Sequence, residues 1–129
     1  MPLVKISLSE SYESKIQDLI SKAIHLALIE EFNIPSKDYF HIIESLKNNQ
    51  LKYPEEYLGI PHTNAIIFIQ ITAASGRNIE QKRSLYKSIV SHIESTTGIS
   101  PQEIIITLVE NTKENWSFGN GEQQAFNHV

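Results

Sequence analysis

Three positions in this chain carry groups able to move a proton or hold an anion: Pro2, Asp38 and Arg77. Pro2 directly follows the initiator methionine. If Met1 is removed, Pro2 becomes a free secondary amine, which serves as a base when neutral and as an acid when protonated. The same amine can form an iminium ion with a carbonyl and so act as an electron sink. If Met1 stays, the Pro2 nitrogen is an amide, and the residue only contributes a fixed φ without an N–H at the head of a strand. Arg77 precedes a predicted helix, and a guanidinium at a helix N-terminus makes a good site for a carboxylate. Each group also has a plain structural reading. Asp38 can be a turn residue after Pro35 that bonds its own backbone, and Arg77 can be a solvated charge at a helix start.

Other chemistries find less support. There is no cysteine, which excludes disulfides, thiolate nucleophiles and Cys-ligated metals. His25 and His92 fall on helices, His41 in a strand, His62 in a loop and His128 in the tail. No two of them have the spacing of a metal site, so no metal is expected. A glycine-rich phosphate loop and a serine nucleophile elbow are both missing, and no cofactor is expected.

The elements that must position Pro2, Asp38 and Arg77 are written twice. IPSKDYFHIIE (34–44) aligns with SPQEIIITLVE (100–110), with Pro35/Pro101 and Glu44/Glu110 at an offset of 66 residues. At that offset Leu19, Ile20, Ala23, Ile24 and Ala27 fall on Leu85, Tyr86, Ile89, Val90 and Ile93. This is the apolar stripe of an amphipathic helix. Ser9 or Ser11 is the candidate N-cap of the first helix, and Asn78 with Gln81 forms a capping box on the second. Asn33 and Gly98 suit the left-handed residue that closes each helix, with Pro35 and Pro101 following. Strands are predicted at 3–8 and 39–43 around the first helix, and at 65–72 and 104–109 around the second.

The expected fold is therefore α+β: two β-α-β repeats form a four-stranded mixed sheet with two helices on one face. One domain, 1–129, divides into a first unit (1–44), an insertion (45–64), a second unit (65–110) and a tail (111–129). The insertion carries turn signals and reads as a loop or short hairpin. The opposite sheet face still carries apolar residues and needs cover, most simply from other copies of the chain. In this topology Pro2 and Asp38 begin parallel strands about 4.8 Å apart. The end of the third strand, AASGRN with Arg77, returns toward them. The tail holds the only tryptophan and Phe126, too aromatic for an idle terminus.

Length and composition fit that scheme. A chain of 129 residues, 40% hydrophobic and 20% charged, suits one globular core. A net charge of −4 argues against nucleic acid or an anionic membrane as partner. Lys5 and Ser7 interrupt the apolar start, so no signal peptide is expected and the cytoplasm is the default location. The longest apolar run, 65–69, is too short to span a bilayer.

The segments PLVKISL, RNIEQK, GISPQEIIITLVEN and WSFGNG, on this doubled plan, resemble the tautomerase superfamily. Within it they are most similar to the malonate semialdehyde decarboxylase group. The resemblance implies a β-α-β repeat fold, a homotrimer, and Pro2 as the catalytic residue once Met1 is cleaved. Asp38 matches the family's acidic residue after the first helix. Arg77 matches one of two arginines before EQK, and Ser75 stands near the place of the other. Trp116, Phe118 and Phe126 match aromatic residues that wall the pocket. The replacement of an arginine-rich turn by TAASGRN bears more on decarboxylation than on proton transfer.

Three functions follow as expectations. The first is proton transfer by Pro2 on a small keto or enol carboxylate held by Arg77. The second is decarboxylation or hydration of a 3-oxo acid such as malonate semialdehyde, with Pro2 cationic. The third is a non-catalytic oligomeric binding protein, which Met1 retention would favour.

Overall fold

The computed structural model describes residues 1–124. Along the chain lie β1 (Leu3–Ser9), α1 (Ser14–Phe32), β2 (Phe40–Leu46), β3 (Glu56–Tyr57), β4 (Ile60–Pro61), β5 (Ile67–Ala74), α2 (Ile79–Thr97) and β6 (Ile104–Asn111). Short 3-10 turns occupy Asn48–Gln50, Pro101–Glu103 and Lys113–Asn115. The main sheet runs β2-β1-β5-β6. β1 is parallel to β2, β5 is parallel to β6, and the two units meet where β1 pairs antiparallel with β5. The doubled β-α-β plan is thus the observed fold, with its second unit inverted beside the first.

Alternation builds the core. Val4, Ile6 and Leu8 of β1 and Ile67, Ile69, Ile71 and Ala73 of β5 point to one face and are essentially inaccessible. Against them pack Ile20, Ala23, Ile24, Ala27 and Leu28 of α1 and Leu85, Ile89 and Ile93 of α2. Both helices therefore cover the same side of the sheet. The other side remains open, with Leu3, Phe40, Ile42 and Val109 exposed by 37–50%.

Helix ends follow the local chemistry with one exception. Asn78 and Gln81 form the reciprocal capping box, and Asn33 (φ 54°) and Gly98 (φ 76°) close the helices in the left-handed region. The first helix, however, starts later than its serines predict. Glu13 is the N-cap and gives no side-chain cap bond. Ser9 is instead spent on the Ser11 amide and hydroxyl and on Asn48 Oδ1, tying the start of α1 to the turn after β2. β5 likewise begins at Ile67 rather than 65, because Ala65 turns the chain in: its carbonyl accepts from Tyr12 Oη at 2.6 Å. The insertion contains a tight hairpin, β3 to β4, turning through Leu58 (φ 53°) and Gly59 (φ 80°). No helix among the described residues is long and apolar enough to cross a membrane.

Two polar features sit within the packing. Glu103, 3% exposed, is the only carboxylate or cation buried among the described residues. It accepts the Thr63 amide at 2.9 Å and the Thr63 hydroxyl, pinning the approach to β5. Burial, with the Glu103 charge adding to it, pushes the Tyr12 phenol up to about 12. At the other end, α1 meets β2 through hydrogen bonds. Ser21 Oγ bonds Tyr39 Oη and His41 Nδ1, each at 2.8 Å. Burial, then repulsion from neighbouring His25, lowers His41 to about 4.

Removing the Glu103 acceptor leaves two donors unpaired. Glu103→Ala is expected to cost about 1–3 kcal/mol in urea unfolding. His41 has a depressed folded-state pKa, so its contribution is full above about 6.5 and is lost as pH falls toward 4. Chemical unfolding between pH 7 and pH 4 should show a shallower loss in His41→Phe than in the parent chain. The difference is a fraction of the ~1.4 kcal/mol per pH unit carried by one full proton, because the ring keeps partial access to water.

Candidate active site

β1 and β2 run parallel, so both begin at the same end of the sheet. Leu3 pairs with Phe40 on one side and with Thr72 on the other. Pro2, one residue ahead, is buried at the entrance to the central pair of strands. Asp38 sits on the turn that feeds β2, its amide bonded to Pro35 O at 3.0 Å. Its Oδ2 lies 3.4 Å from the terminal ammonium on Met1, with the two side chains 21% and 25% exposed. The structure thus brings the start of the chain and Asp38 together.

Arg77 has a more specific environment than a helix-start charge. From Nη1 it donates to Ala74 O and from Nη2 to Phe32 O, both at 3.0 Å. Its guanidinium carbon stands 4.7 Å from the centre of the Phe32 ring. Phe32 O belongs to the last turn of α1, where carbonyls lack helical partners and a cation is welcome. A charge misplaced at the N-terminus of α2 is therefore well placed at the C-terminus of α1. The other N–H groups of the fork make no hydrogen bond among the described residues. Among the described residues no hydrogen bond or ion pair joins Arg77 to Asp38 or to the terminus. The common ground of the three is the β1/β5 end of the sheet.

The aromatic residues gather on the open face next to Leu3. Trp116 and Phe118 stack with ring centres 5.3 Å apart and planes 8° from parallel, and Phe118 meets Phe40 at 5.6 Å. Leu3, Phe40, Trp116, Ser117 and Phe118 line a cavity of about 290 Å3. Trp116 is oriented by donating from Nε1 to Asn111 Oδ1 at 2.6 Å. Ser75 is exposed, and its amide donates to Asn111 O at 2.7 Å. Asn111 therefore links the end of β5 to the tail. Phe126 lies outside the described residues. No three His, Asp or Glu side chains among the described residues gather as metal ligands.

Sequence reasoning overlooked Phe32, Asn111 and His25. Phe32 had a signal: a cation at a helix N-terminus asks for a partner elsewhere. Asn111 and His25 had none, because their roles arise from contacts with other elements. His25, placed on a helix and given no role from its spacing, is 8% exposed. Chemically, the arrangement offers a chain-terminal nitrogen beside a carboxylate, a guanidinium nearby, and an apolar wall that strengthens electrostatics by excluding water.

Comparison with known proteins places the fold in a family. The family described as "Tautomerase enzyme" matches residues 38–119. The probable tautomerase YusQ of Bacillus subtilis (strain 168) is 38% identical over 124 residues, covering 96% of this chain and 98% of YusQ. Among solved structures, a malonate semialdehyde decarboxylase, described in wild-type, mutant and inactivated forms as a basis for decarboxylase and hydratase activities, superposes with a TM-score of 0.91. It is 26% identical and the match covers 98% of this chain and 97% of that one. A fused 4-OT, a symmetric trimer, shares the fold at a TM-score of 0.75 and 15% identity, over 93% of this chain and 94% of that one. With a family match over most of its length and a relative of this identity across nearly all of it, the chain belongs to the tautomerase family of enzymes and lies structurally close to malonate semialdehyde decarboxylase.

Proposed function

We propose that the chain, working as one domain over 1–129, catalyses proton transfer on a small keto or enol carboxylate, with Pro2 as the base after Met1 is removed. The observation that carries this is the terminal ammonium 3.4 Å from Asp38, directly ahead of buried Pro2. Loss of Met1 moves the free nitrogen one residue, about 3.8 Å in Cα terms, into the head of β1. Desolvation there favours the neutral amine. Neutral Pro2 takes the proton from the enol oxygen, and the electron pair left behind forms the carbonyl. The resulting prolinium gives the same proton to carbon, so the amine is restored and atoms balance. Asp38 stabilises the cation between the two steps. Arg77 grips the substrate carboxylate with the N–H groups it does not give to Ala74 and Phe32. Trp116 and Phe118 shield the exchange from water, with Ser75 at the rim.

A second reading draws on that same carboxylate. An anion next to the amine favours its charged form. Cationic Pro2 would polarise the carbonyl of a 3-oxo acid, the class to which malonate semialdehyde belongs, for decarboxylation or hydration. Similarity to the decarboxylase supports it, and the single arginine in TAASGRN weighs against it.

The open sheet face supports self-association, most simply as a homotrimer like the fused 4-OT. Exposed Leu3, Phe40, Ile42 and Val109 form an apolar surface that copies of the chain would cover. Light scattering should return three times the 14.7 kDa chain mass. A monomer would overturn this assembly.

Intact mass of the native protein should lack methionine. Pro2→Ala is expected to lower kcat on an enolpyruvate by at least about a hundredfold, and unchanged turnover would remove Pro2 from the chemistry. Nitrogen-15 titration of Pro2 separates the two readings: a value below neutrality supports the base, and one well above it supports the acid.

A further inference from the structure

The turn that carries Asp38 is gripped from α1 at points on both sides of the carboxylate. Two residues before Asp38, Ser36 O receives a hydrogen bond from His25 Nε2 at 2.8 Å. One residue after it, the Tyr39 ring lies stacked on the His25 ring, 4.1 Å between centres and 20° between planes. One helical turn earlier, Ser21 holds the Tyr39 hydroxyl at 2.8 Å. A carbonyl only accepts, so His25 Nε2 carries a proton and donates it. Its Nδ1 is buried and has no partner among the described residues. An apolar side chain would fill the same space without an orphaned nitrogen. What the imidazole adds is a directed bond to the Asp38 turn together with a flat face for Tyr39.

We propose that His25 is the positioning residue for Asp38, fixing the carboxylate at the nitrogen end of β1 through the Ser36 carbonyl and the Tyr39 ring. The inference rests on the reading of Pro2 and Asp38 as partners in proton transfer. His25 touches neither the substrate nor the terminus. It acts by denying the 35–39 turn the freedom to swing Asp38 away, and displacements of about 1 Å at a reacting group cost up to ~100-fold in rate.

Two variants dissect the grip. His25→Phe keeps the stack and loses the donor, whereas His25→Gln keeps an N–H near the Nε2 position and loses the stack. The first readout is independent of catalysis: hydrogen exchange of the Asp38 amide, which is bonded to Pro35 O. It is expected to accelerate at least about tenfold in His25→Phe and less in His25→Gln, with the core amides of Ile69 and Leu85 unchanged. The second is a double-mutant cycle on an enolpyruvate. His25→Phe should lower kcat roughly tenfold with KM within about a factor of two, and should have no further effect in an Asp38→Asn background. Unchanged Asp38 exchange in both variants, or an equal loss of kcat with and without Asp38, would overturn the proposal. Accelerated exchange together with full turnover by Asp38→Asn would instead strike the catalytic reading and leave the grip on the turn standing.

Discussion

A chain terminus is ordinarily the least ordered part of a domain, since the first residues have few neighbours and gain little by staying in place. Here the first strand is not at an edge. β1 is hydrogen-bonded on one side to β2 and on the other to β5, and its inward residues Val4, Ile6 and Leu8 are essentially inaccessible. Those two ladders and three apolar side chains fix the start of the strand, and the residue ahead of them is buried. Every other site feature is placed relative to that anchored terminus. The parallel pairing with β2 delivers Asp38, the antiparallel pairing with β5 delivers the Arg77 turn, and the side chain of Leu3 becomes part of the apolar wall.

Arg77 shows how a candidate binding group is built into the structure. Its two carbonyl partners belong to different β-α-β units, Phe32 to the first and Ala74 to the second. The guanidinium thus ties the units together at the end of the sheet where the terminus lies. Its planar fork makes this possible, because separate N–H groups point in separate directions and cannot all face the same partner. At the equivalent position of the first repeat stands Ser11, which joins the Ser9–Asn48 network instead. The duplication is therefore broken at the candidate site, and preserved in the helices and strands around it.

The two sides of the sheet have been given different work. One is sealed by the helices, with aliphatic residues of sheet and helices packed together and essentially inaccessible. The other keeps large apolar side chains in the open, and next to it Trp116 stacks on Phe118, which meets Phe40 at a tilt. Such a surface is costly in water and is characteristic of a face meant to be covered. The polar cluster of Ser21, His25, Tyr39 and His41 marks the boundary, where α1 ends its purely apolar contact with the sheet and begins to hold the Asp38 turn. Aliphatic packing alone would leave that turn free to slide. Hydrogen bonds to a carbonyl and to hydroxyls impose direction.

Most of the architecture was legible in the order of residues, for physical reasons that are local. The 3.6-residue stripe written twice defined α1 and α2, alternation defined β1 and β5, and Asn78, Asn33 and Gly98 marked helix ends because their side chains or left-handed backbone act within one turn. The start of α1 was misread because Ser9, locally a good cap, was drawn away by Asn48, a residue 39 positions distant. At the site, Pro2 and Asp38 could be brought near each other from topology alone, since parallel strands must begin at the same end. The partners of Arg77, the hold of Asn111 on Trp116 and the clasp of His25 on the Asp38 turn could not. Each depends on which surfaces meet after the helices settle on the sheet, a matter of three-dimensional packing that no spacing along the chain encodes. The order of residues by itself determined the two-fold repeated fold and the chemical types available to it. Only the tertiary structure decided which of those groups touch, because hydrogen bonds and ring contacts act over a few ångströms in space regardless of their separation in sequence.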